Sequence, residues 1–85
     1  MEIIYTPRFV KLYRRLPEKV RVLAEKKERI FRNDLYDKSL KTHKLSGTLE
    51  GEWAFSINHS YRIIFEMLGD DRVLFTLVGT HKIYQ

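Results

Sequence analysis

Residues 61–81 read YRIIFEMLGDDRVLFTLVGTH, and their pattern decides the fold. Tyr61, Ile63, Phe65 and Met67 alternate with Arg62, Ile64, Glu66 and Leu68, which is the period of a strand. Gly69-Asp70-Asp71 supplies turn chemistry. Val73 to Val78 is nearly continuous apolar sequence, which places that strand inside a sheet. Two features do not serve packing. Arg62 is set among core residues, one step out of phase with them. The second strand then runs out into Gly79-Thr80-His81.

Upstream, Trp53, Phe55 and Ile57 alternate with Ala54, Ser56 and Asn58, and Asn58-His59-Ser60 makes a turn. Nearer the N-terminus, Glu2 to Tyr5 forms a short strand. Thr6 caps a helix whose first residue is Pro7. Phe9, Leu12, Tyr13 and Leu16 follow at helical spacing. Pro17 begins a second helix with Val20, Leu23, Ala24, Ile30 and Phe31 on its apolar side. The very short turn between the helices favours an antiparallel hairpin. Residues 33–44 show no period and are expected to connect helix to sheet. The predicted class is α+β: an N-terminal strand and helical hairpin on one face of a small antiparallel sheet. Trp53, Phe55, Ile57, Tyr61, Ile63 and Phe65 face the helices. Ala54, Ser56, Arg62, Ile64 and Glu66 lie on the other face, which this reading leaves open.

The chain has 85 residues, enough for one domain over 1–85. A domain of this size buries only about 60% of the surface its unfolded chain exposes, so a single helix-on-sheet layer is the expected limit. No run reaches the roughly 20 apolar residues of a membrane span. The N-terminus lacks the pattern of a signal peptide, and a cytoplasmic location is the default expectation. The absence of cysteine rules out disulfides and thiolate metal sites. Residues 1–44 hold 13 Lys and Arg against 6 Asp and Glu, whereas residues 45–85 hold 3 against 5. The basic half fits a polyanion, RNA or DNA, or an acidic protein; it also fits solvated helix faces.

Strand alternation sends Arg62 to the face away from the helices. There its guanidinium can hold a phosphate with two donors, or pair with Glu66 on the same face. His81 lies just past the last strand, either as a proton-transfer group displayed on a rigid scaffold or, as for most lone histidines near a C-terminus, with no role. His43 sits between Lys41 and Lys44 in the connecting segment, either as an active group or as a solvated loop residue. Tyr84 either stacks on a base or anchors the tail. His59 reads as a turn residue. There is no histidine pair at metal-ligand spacing, no phosphate-binding glycine loop and no serine triad signature.

The stretch LKTHKLSGTLEGEWAFSINHSYRIIFEML (40–68), followed by VLFTLVGTH (73–81), resembles the RelE/ParE toxin superfamily, and within it the YafQ-like and RelE-like ribonucleases. His-Lys-Leu-x-Gly, Tyr-Arg-Ile-Ile-Phe and Val-Gly-Thr-His carry the likeness, which spans essentially the whole chain. The resemblance implies a toxin that cleaves messenger RNA, typically on the ribosome, without metal or other cofactor, and that a cognate antitoxin blocks. It implies attack of the RNA 2′-hydroxyl on the neighbouring phosphate. In that chemistry Arg62 binds the phosphate and His81 is the general acid. His43 is the base or orients it, and Tyr84 matches a C-terminal aromatic. RNA contacts are expected at Lys41, Lys44, Ser56, Tyr61 and Lys82. The sequence departs from the family at Ala54 and Ser56, where RelE-like members carry lysines. The resemblance therefore leaves two alternatives: a ParE-like toxin that binds a protein such as DNA gyrase, and a weakened toxin that chiefly binds its antitoxin.

Overall fold

The structure is a computed structural model describing residues 1–84, with side chains through Ile83. It contains β1 (Glu2–Tyr5), α1 (Pro7–Arg14), α2 (Glu18–Asn33), β2 (His43–Lys44), β3 (Trp53–Ser56), β4 (Arg62–Gly69) and β5 (Arg72–Gly79). Short 3₁₀ helices cover Lys38–Leu40, Gly47–Leu49 and His81–Tyr84. The strands form one sheet in the order β1-β5-β4-β3-β2. All pairings are antiparallel except β1 with β5. The N-terminal strand is thus part of the sheet, as its parallel edge.

Local chemistry accounts for the helix ends. Thr6 Oγ1 accepts from Phe9 N at 3.1 Å and donates to the Phe75 carbonyl at 3.0 Å. One hydroxyl therefore starts α1 and ties it to β5. Pro17 caps α2 without a side-chain bond, and Arg32 sits in its last turn, favourably placed for the helix dipole. Tyr13 Oη donates to the Arg21 carbonyl at 3.3 Å and links the two helices.

The core is aromatic. Phe31 of α2 is fully buried; its ring lies 4.7 Å from Phe55, 5.0 Å from Phe65 and 5.5 Å from Phe75. Three strands thus converge on one helix residue, in offset and edge-on contacts that favour ring quadrupoles. Ile57 and Ile63 are buried in the same cluster, with Trp53 and Tyr61 packed at its margin, as the alternation predicts. Leu40 also belongs to it and is fully buried. The connecting segment is therefore pinned to the core just before Lys41.

Two outcomes depart from the sequence reading. β5 carries a bulge: Ile64 pairs with Leu77 but Phe65 pairs with Phe75, leaving Thr76 extra. Thr76 Oγ1 lies 3.1 Å from the Ile64 carbonyl at this step. The bulge flips the alternation, so Val73, Phe75 and Val78 all face the core, and Gly79 falls opposite Arg62. Second, the sheet's other face is not open throughout. Ala54 and Ile64 are both 0% exposed. Residues 45–49 border a groove with Arg62 and His81 on that side, and an Ile83 methyl lies 2.6 Å from where a Gly79 Cβ would stand. Segments read as loop and tail fold back beside the sheet, and the end carrying Arg62 keeps a groove.

Candidate functional site

Sheet register builds the site. His43 pairs with Ala54, Ala54 with Ile64, and Ile64 with Leu77, forming one row across the outer face. The next row is Ser56, Arg62 and Gly79. Residues opposite one another in an antiparallel ladder have Cβ atoms roughly 4.5–5.5 Å apart. His43 and Arg62 therefore come from adjacent rows of one face, and His81 follows two residues after Gly79. The three meet in a groove of about 370 Å³ whose other walls are Leu45, Ser46, Thr48 and Leu49. The groove combines apolar walls with a guanidinium and two imidazoles.

Each group is held differently. Arg62 is half-buried; its Nη1 donates to Ser56 Oγ at 3.4 Å. Among the described residues it forms no ion pair, so the alternative bridge to Glu66 is not made. Its remaining donors suit an anion. His43 Nδ1 lies 2.9 Å from the Lys41 carbonyl. A carbonyl only accepts, so Nδ1 carries the hydrogen and Nε2 keeps the lone pair in the neutral ring. Lys41, which supplies that carbonyl, is held in a left-handed conformation at φ 53°. The preceding 3₁₀ helix is capped by Asp37, whose carboxylate takes Ser39 N–H and Oγ–H at 2.9 and 2.7 Å. Those bonds hold Asp37 below the usual carboxylate range. His81 opens the last 3₁₀ helix and is exposed at the groove.

The other expected contacts divide. Ser56 and Lys41 border a second cleft that shares Arg62 with the groove. Lys44 is placed elsewhere: its Nζ lies 5.4 Å over the Trp53 ring. Tyr61 packs against the core cluster. Lys82 is exposed beside His81. The Tyr84 side chain lies outside the described residues. Two residues on the second cleft were not expected there: Lys27, and His59, which the sequence reading gave to a turn. Lys27 had a signal: it stands in phase with Val20, Ala24 and Phe31, where an apolar residue belongs. Among the described residues, no group of three His, Asp or Glu side chains is arranged to hold a metal ion, and no helix is long and apolar enough to cross a membrane. A hollow of about 390 Å³ between the helices, lined by Tyr5, Phe9, Tyr13, Arg14 and Glu28 among others, contains no imidazole.

No family model matches the sequence, and no curated protein does. Solved structures do. A YoeB/ParE toxin from Agrobacterium tumefaciens superposes with a TM-score of 0.78 at 18% identity, covering 95% of this chain and 99% of that one. YafQ from E. coli superposes with a TM-score of 0.80 at 16% identity, covering 98% and 96%. YoeB in its complex with YefM from Staphylococcus aureus gives 0.74 at 18% identity, covering 95% and 97%. From strand order to tail, this polypeptide has the RelE/YafQ-like toxin fold.

Proposed function

We propose that this chain is the toxin of a toxin–antitoxin pair and that it cleaves messenger RNA, on the ribosome, by 2′-hydroxyl attack. The observation that carries the proposal is the groove shared by His43, Arg62 and His81. His43 Nε2 takes the 2′-hydroxyl proton or orients the group that does. The 2′-oxygen forms a bond to phosphorus while the bond from phosphorus to the 5′-oxygen breaks. Arg62 holds the non-bridging oxygens as their charge grows. His81 delivers a proton to the departing 5′-oxygen. The products are a 2′,3′-cyclic phosphate and a free 5′-hydroxyl. A large part of the gain comes from holding the hydroxyl in line with phosphorus. The fold of a YoeB that was solved with YefM supports an antitoxin as the protein partner.

The test is induced expression followed by 5′-end mapping of cellular transcripts, for wild type and Arg62→Ala. New ends that vanish in the variant are expected. Growth arrest with intact transcripts and inhibited gyrase would instead identify a toxin that binds a protein target. No arrest at all would identify a weakened toxin, a reading favoured by Ala54 and Ser56, which put no cation on the outer face of β3.

A further inference from the structure

The second cleft is the strongest unassigned feature of the molecule. It measures about 220 Å³, and Lys27, Lys41, Asn58, His59 and Arg62 are among the residues that border it. Among the described residues, three cationic side chains and an imidazole line it, and no carboxylate does. Lys27 is half-buried, reaching the cleft from the apolar stripe of α2. Neither Lys27 nor Lys41 forms an ion pair among the described residues. Asp37 lies near enough to feel the charge of Lys27 and stays anionic, but it binds Ser39 through Oδ1 and does not line the cleft. Asn58 spends its carbonyl oxygen on Ser60 N and Tyr61 N, which leaves its amide hydrogens as donors. Among the described residues, every formally charged side chain lining this cavity is positive.

Arg62 borders both this cleft and the groove that holds His43 and His81. A strand whose scissile phosphate sits on Arg62 reaches the cleft without leaving the surface. We infer that the cleft is a second phosphate subsite, in which Lys27 and Lys41 hold the phosphate next to the scissile one on the same RNA strand. This rests on the ribonuclease reading above. It explains why α2 places a lysine where its pattern calls for an apolar residue. It also gives the basic N-terminal half a specific task beyond general attraction.

The probes are a nucleoside 3′,5′-bisphosphate and the matching 3′-monophosphate, titrated by calorimetry against the intact chain. The variants are Lys27→Met, which keeps an apolar stem in the stripe, Lys41→Gln, their double variant, and Arg62→Ala. The bisphosphate is expected to bind wild type about tenfold more tightly than the monophosphate, the gain typical of one charge-assisted contact. The double variant should lose that advantage while still binding the monophosphate. Equal affinities in wild type, or an advantage that survives in the double variant, would overturn the subsite. Failure of wild type to bind either probe, with Arg62→Ala no different, would bring down the scissile-phosphate site and the subsite with it.

Discussion

The His43 ring is tied at Nδ1 to the Lys41 carbonyl, which leaves Nε2 as its basic nitrogen. In the proposed reaction that nitrogen is the proton acceptor, so His43→Ala should slow cleavage by about 10²–10⁴-fold, the usual worth of a positioned acid or base. The thermal melting curve should hardly change, because the residue is exposed on a two-residue edge strand. A rate within a factor of a few of wild type, with the variant folded, would remove His43 from the reaction. Arg62→Lys tests a different property. Lysine keeps the charge but loses the planar fork of donors, so a loss on the order of 10²-fold is expected in rate. Arg62 was legible in the sequence because strand alternation alone placed it on the outer face. The tautomer of His43 was not, because it depends on a carbonyl brought close by the left-handed turn at Lys41.

At the level of elements, the sheet and helices followed from periodicity, whereas the pieces that frame the site did not. The bulge at Thr76 leaves no mark in a run as uniformly apolar as Val73 to Val78, yet it puts Gly79 opposite Arg62. The two-residue strand β2 is too short to show a period, and Leu40 looked like any loop leucine although it is fully buried. Gly79 gives a sharp test of the tail. A Cβ there would stand 2.6 Å from Ile83 Cγ2, on a β-branched side chain with little room to turn. Gly79→Ala should displace the 3₁₀ helix that begins at His81 and lower the cleavage rate. The aromatic core should survive, and denaturant midpoints would show it. Phe31→Ala should do the reverse of a site mutation: it empties the centre of the Phe55, Phe65 and Phe75 cluster and should cost about 3–5 kcal/mol in urea unfolding.

Over the whole molecule, charge and concavity point the same way. The basic half of the sequence contributes Lys27, Lys41 and His43 to two hollows that share Arg62, while the half with a formal excess of acid contributes Arg62, Ser56 and His81. Composition showed the excess of cations but could not say where they gather, since that depends on how α2 and the segment after it lie against the sheet edge. RNA affinity should fall steeply with salt, and each lysine contact removed should reduce the slope of log affinity against log salt by about 0.7. In the proposed reaction, three groups in one groove direct a 2′-hydroxyl at the neighbouring phosphate. The most direct measurement uses a translation mixture programmed with a defined messenger RNA, and the same RNA with a single 2′-deoxynucleotide at the cut position. Mass spectrometry then identifies the ends produced. A 2′,3′-cyclic phosphate and a 5′-hydroxyl are expected from the ribose substrate, and no cut in the deoxy one. Cleavage of the deoxy substrate at the same bond, or ends bearing a 3′-hydroxyl and a 5′-phosphate, would contradict that reaction.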